Sequence, residues 1–130
     1  MEGRKINDRE YLEFMEDYKG FTIIGVFING GWRCGYVVIP KSHLYYGKDY
    51  TELDIDCHGG LTFSGNINEN ITKNYCIGFD CIHYMDSYDD KSNIEYFNRE
   101  TPLKDHIGFI RSVDFVRGEC KSIVEQLIEL

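Results

Sequence analysis

The run Phe21-Thr22-Ile23-Ile24-Gly25-Val26-Phe27-Ile28, then Asn29-Gly30-Gly31, then Trp32–Ile39, most narrows what this chain can become. β-Branched and aromatic side chains suit a pleated surface and lose rotamer freedom in a helix. Asn and Gly accept the positive φ of a tight turn, so the two runs are expected to fold back on each other as antiparallel strands. Pro40 lacks a backbone N–H and stops the second run. A lone hairpin is marginal in water, so this one needs further strands and a cover for its apolar face.

The rest of the chain offers both. Val113, Val116, Cys120, Ile123, Leu127 and Leu130 step by three and four behind Ser112, which predicts a capped amphipathic helix. Gly118 weakens that helix by about 1 kcal/mol relative to Ala. Asp8 as N-cap, followed by Tyr11, Leu12, Phe14, Met15 and Tyr18, predicts a short helix ending near Gly20. Leu53–Cys57 alternates apolar and acidic residues as a half-exposed strand does, and Leu61–Ser64 and Tyr75–Cys81 read as two more strands. Lys41–Tyr50 is a loop, Asn66–Asn74 a polar link, and Met85–Glu100 a surface excursion. The expected fold is α+β: an antiparallel sheet with an N-terminal short helix and a C-terminal amphipathic helix packed on one face. Without repeats or a dividing linker, residues 1–130 are expected to form a single globular domain.

Charge excludes some functions. With 22 acidic against 14 basic residues the net charge is −8, and no basic run offsets it, which argues against direct nucleic-acid binding. The acids are spread rather than arrayed, so mimicry of nucleic acid is a weaker reading than contact with a basic protein surface. Phe21–Ile28 is too short an apolar run to span a bilayer. Met1–Asn7 is polar and the five Cys are an odd number, which together predict a cytoplasmic chain with reduced thiols. In that setting the Asn70-Ile71-Thr72 pattern is no glycosylation site.

Chemistry concentrates in Cys57-His58-Gly59-Gly60-Leu61-Thr62-Phe63-Ser64-Gly65 and in Gly78-Phe79-Asp80-Cys81-Ile82-His83. Three readings compete. Cys57, His58, Cys81 and His83 are the side chains zinc prefers, but adjacent residues on an extended chain face opposite ways. Cys81 and His83 are therefore only weak metal candidates, and no cofactor is expected. As catalysts, His58, Asp80 and His83 could supply acid–base or metal-assisted hydrolysis, or His58 could activate a Cys, Ser64 or Thr62. As a binding face without turnover, His58, Gly59, Gly60, Thr62, Ser64, Asp80 and His83 could hydrogen-bond a nucleotide-like ligand, with Phe63, Tyr75, Phe79 or Tyr84 against its ring. Bland alternatives stand beside each: cysteines and aromatics as core, and Asp80 paired with His58 or His83 to fix two strands. His43 and His106 read as ordinary loop residues, and Asp86, Asp89 and Asp90 as a solvated loop. The residues leave open whether the chain is an enzyme.

Taken together, Trp32-Arg33-Cys34-Gly35-Tyr36-Val37, Ile39-Pro40-Lys41, Tyr46-Gly47-Lys48, the two motifs above and the closing Val116-Arg117-Gly118-Glu119-Cys120 resemble a family of small uncharacterised bacteriophage and prophage proteins. The resemblance spans roughly residues 31 to 130. Members often carry Gly-Asp after the final His, where this chain has Tyr84-Met85-Asp86, so no role for Asp86 carries over. The resemblance brings no activity. It implies an accessory protein antagonising host defence, with a nucleotide-like small molecule or a host defence protein as partner and the host cytoplasm as its place.

Overall fold

The hairpin forms with the register its turn dictates. The computed structural model describes residues 3–101 and 108–130. In it β3 (Phe21–Ile28) pairs antiparallel with β4 (Trp32–Val38), Ile28 opposite Trp32 and Gly25 opposite Gly35. Gly30 and Gly31 turn the chain at φ of 124° and 105°, values that L side chains rarely adopt. The sheet grows on both sides of this pair. β1 (Arg4–Lys5) and β2 (Glu10–Tyr18) extend it one way, β5 (Phe63–Asn66) and β6 (Tyr75–Asp80) the other, in the order β1-β2-β3-β4-β6-β5. Every pairing in this sheet is antiparallel.

β2 corrects one expectation, since residues 10–18 form a strand rather than a short helix. The register slips between Leu12 and Phe14, leaving Glu13 as a bulge. That extra residue breaks the alternation and sets Tyr11, Phe14 and Tyr18 at three- and four-residue spacing. Phe14 joins the core under the C-terminal helix while Leu12 joins the cluster on the opposite face. A bulged strand apolar on both faces thus imitates the helical pattern.

α2 (Val113–Ile128) is the expected amphipathic helix, with Ser112 accepting a hydrogen bond from the Phe115 amide. It buries Val116, Cys120, Ile123, Val124 and Leu127 against Ile23, Val37, Ile77 and Phe79. Leu130, expected on that face, is exposed beyond the helix end. Leu53–Cys57 alternates in burial but pairs with no strand. It lies along α2, where the Gln126 side chain bonds both the N–H and the C=O of Asp56. On the other face Ile71, from the link before β6, closes a smaller cluster over Leu12, Ile24 and Val26.

The stretch from Met85 to Glu100 is no surface excursion. β7 (Asp86–Ser87) pairs in parallel with β8 (Phe109–Ile110), and α1 (Asp90–Phe97) follows, capped by Asp89. Its anchor is Arg33 of β4, only 4% exposed. Arg33 gives Nε and one Nη to Glu13 at 2.8 and 3.2 Å and the other Nη to Asp89 at 2.9 Å. The remaining N–H groups reach Ser92 Oγ and the Arg111 carbonyl, both at 3.1 Å. Burial opposes the Arg33 charge, but Glu13 and Asp89 outweigh it and raise its pKa. The Tyr96 ring stacks on Tyr11 at 3.8 Å, meets Phe27 edge-on, and sends its hydroxyl to Glu13. Asp89 and Asp90, expected in solvent, are internal partners, Asp90 accepting the Thr101 amide. His106 lies outside the described residues. No helix among them is long and apolar enough to cross a membrane.

Candidate functional site

Both chemical motifs meet beyond the end of β6. Gly59 and Gly60 turn the chain at φ of 68° and 80°, and the Gly60 amide closes this turn on the Cys57 carbonyl. The Gly60 amide is therefore spent inside the turn. Gly59 has a packing role instead. A Cβ there would stand 2.3 Å from His83 Nε2, so the imidazole rests directly on the glycine backbone.

The two histidines have different partners. His58 Nε2 lies 2.8 and 3.0 Å from the oxygens of Asp86, which also accepts Arg111 Nε at 2.8 Å and the His83 amide at 3.0 Å. The Asp86 side chain is fully buried. Burial pushes its pKa up, but Arg111, His58 and the His83 amide more than compensate and hold it below the usual carboxylate range. The His58 ring also packs edge-on against Phe115, whose other neighbour is the Arg111 guanidinium, and the His58 amide is bound by Glu119. His83 Nε2 is 3.0 Å from Asp80 Oδ1, yet out of line, so this enclosed nitrogen makes no hydrogen bond. Asp80 instead takes the Ile82 amide and the Thr62 hydroxyl.

So the structure brings together His58, Gly59, Thr62, Asp80 and His83 of the expected face, while the partner of His58 is Asp86 rather than Asp80. Ser64 is elsewhere: its hydroxyl accepts the Tyr50 amide, near the start of β6. Phe79 is core and closed to stacking, and Phe63 is half-buried with one edge-on contact to Tyr36. His43 is more than a loop residue. Its Nδ1 accepts the Tyr45 amide, which leaves Nε2 to donate to the Leu127 carbonyl at the end of α2.

Neither metal nor thiol chemistry is prepared here. Among the described residues no three His, Cys, Asp or Glu side chains are grouped so as to hold a metal ion. All five cysteines are free thiols. Burial pushes Cys34, Cys57, Cys76 and Cys81 up to about 12, and raises Cys120 as well, away from the thiolate form a nucleophile requires.

A hollow of about 540 Å³ lies at the opposite end of β6, bordered by Lys41, Tyr46, Asn66, Lys73 and Tyr75. A second of about 430 Å³ adjoins it, sharing Tyr46, Asn66 and Tyr75 and adding Asp49 and Ser64. Sequence reasoning missed Asp86, Arg111 and Glu119 because their partners are remote in the chain. It missed the hollow because strand ends far apart in sequence make its walls. The chain matches no family model, no curated protein and no solved structure.

Proposed function

We propose that this chain is a phage-type accessory protein that antagonises host defence by binding, in the host cytoplasm, a nucleotide-like small ligand or a host defence protein. One observation carries the choice of binding over catalysis: the most basic-looking constellation is spent internally. His58, Arg111 and the His83 amide all terminate on one buried carboxylate, Asp86, which clips β7 to the turn at Gly59. A general base needs a free, accessible lone pair aimed at substrate, and the Nε2 edge of His58 is already committed to Asp86. The phage context rests on the motif resemblance.

A second reading keeps a small hydrolase in view. His83 and Asp80 are each about 30% exposed at the side chain and stand 3.0 Å apart. That pair is the part of the cluster left for acid–base work.

The test is phage plaquing on defended cells that express the protein, beside His83→Asn and Asp80→Asn variants whose folding is checked by circular dichroism. Plaquing restored by all three proteins supports binding. Restoration lost in both folded variants selects the hydrolase. No restoration across a panel of defence systems overturns the accessory role.

A further inference from the structure

We propose that the paired hollows at the start of β6 form the ligand site, and that the ligand is a nucleoside monophosphate or a close relative: phosphate, sugar hydroxyls and a planar base. This rests on the binding reading above and assigns it to a surface other than the Gly59–His83 face. β6 spans six residues, so the two places are separated by roughly 17 Å of strand.

The hollows have the size and the walls for it. Volumes of about 540 and 430 Å³ fall in the range of roughly 300–1,000 Å³ usual for small-molecule sites. Their walls are the start of β3, the end of β4, the end of β5 and the start of β6, together with Pro40, Lys41, Lys73 and Asn74. Backbone held by a sheet gives a preformed site with little ordering cost on binding.

The chemistry is divided along the hollow. At one end stand Lys41 and Lys73. Every lysine–carboxylate pair among the described residues involves Lys5 or Lys19, so these two ammonium groups have no acidic partner. In a chain of net charge −8, two such lysines on one hollow make a local anion site. At the other end stands Asp49. Its Oδ1 takes both the amide and the hydroxyl of Thr51, which hold the carboxyl below its ordinary value, and the side chain also accepts the Glu52 amide in a capping box. A carboxylate held in place by these bonds is a fixed charged acceptor, with lone pairs beyond those the turn uses, which suits sugar hydroxyls and repels a second phosphate.

Between the two ends lie Tyr46 and Tyr75, ring centroids 5.4 Å apart and tilted by 48°. The Tyr75 hydroxyl is tied to the Lys48 carbonyl, which fixes that ring. Tyr46 keeps 40% of its surface exposed at the lip of both hollows, an aromatic face left for a base to stack on. Asn66 shares this middle position. An anion site, a stacking face and a hydroxyl acceptor in that order match a nucleotide better than a bare anion or an uncharged ring.

The test is titration calorimetry of the full chain at low salt with AMP, GMP, CMP and UMP, beside adenosine and inorganic phosphate. The expected result is binding of at least one monophosphate, with adenosine and phosphate each about tenfold weaker or worse, since each lacks one set of contacts. The Lys41→Ala/Lys73→Ala pair is expected to weaken binding about a hundredfold and Tyr46→Ala about tenfold, while His83→Asn changes nothing. These are surface positions, so the fold is not at risk. Nucleotide binding that survives the lysine pair but is lost in His83→Asn or Asp80→Asn overturns this site and leaves the binding function standing. Phosphate binding as tightly as the nucleotides reduces the site to an anion hole and overturns the ligand class. No binding at millimolar nucleotide overturns the inference outright, and plaquing then decides whether the binding reading survives through a protein partner.

Discussion

His58 Nε2 and Asp86 Oδ2 lie 2.8 Å apart across 28 residues of chain, and this contact turns two sequence motifs into one cluster. Asp86 accepts hydrogen bonds from the imidazole, from Arg111 and from the His83 amide while its own side chain is fully buried. It therefore acts as the internal counter-charge of this end of the molecule.

Replacing Asp86 by Asn is expected to cost about 3 kcal/mol, because Arg111 and His58 lose the charge that compensates their desolvation. The pH dependence follows from the direction of the Asp86 shift. Its folded pKa lies below the ordinary 3.8, so its contribution is fully present above that value and is lost as pH falls through the folded pKa. Urea midpoints at pH 7 and pH 3 check both statements: the gap between wild type and Asp86→Asn should be wide at pH 7 and narrower at pH 3. An equal gap at both would show that the carboxylate charge is irrelevant.

Arg33 is expected to be the costliest single side chain to lose among the polar residues. Arg33→Met leaves Glu13 and Asp89 as buried carboxylates, 3% and 14% exposed, facing a thioether, for a loss of about 3–5 kcal/mol. Adding Glu13→Gln should recover part of it, since the stranded charge goes too. Denaturant midpoints of the single and double variants measure this. Hydrogen exchange over Asp90–Phe97 should rise in the single variant, because α1 hangs on that arginine through Asp89 and Ser92. Unchanged exchange in α1 would refute the tether.

Gly59 and Gly60 separate a packing requirement from a conformational one. Gly60→Ala meets open space and should cost only the positive-φ penalty of about 1–2 kcal/mol. Gly59→Ala carries the same penalty and also drives a methyl into the His83 ring, so it should cost roughly twice as much. Melting of the two variants compares them, and NMR of the His83 ring should shift only in the Gly59 variant. Equal stabilities would mean that the ring moves aside freely.

The thiols are expected to be inert in the folded protein. With pKa values pushed up to about 12, roughly one in ten thousand is a thiolate at pH 8. An aromatic disulfide reagent should therefore label the native protein slowly and release five equivalents only in denaturant. Rapid release of one equivalent from the native chain would reveal an activated cysteine and revive nucleophilic chemistry.

Local chemistry alone determined the hairpin at Asn29-Gly30-Gly31, the Ser112-capped helix, the strands around Phe63 and Tyr75, and hence an α+β fold. Those features depend on neighbours within a few residues: positive φ at a turn, a hydroxyl at an N-cap, periodic burial on one face. Where distant partners intervene, the local pattern misled. A single bulge at Glu13 gave β2 the spacing of a helix. The acids at 86–90 looked solvated because their cations, Arg33 and Arg111, stand far away in the chain. The sequence marked where His58, Gly59, Thr62, Asp80 and His83 would gather, since each motif carries its own turn. Only the tertiary structure decided that Asp86 claims His58, that Ser64 lies at the other end of β6, and that four strand ends close around a hollow with two unpaired lysines. Burial and charge pairing act through space, and a linear pattern cannot register which strand end will face which loop.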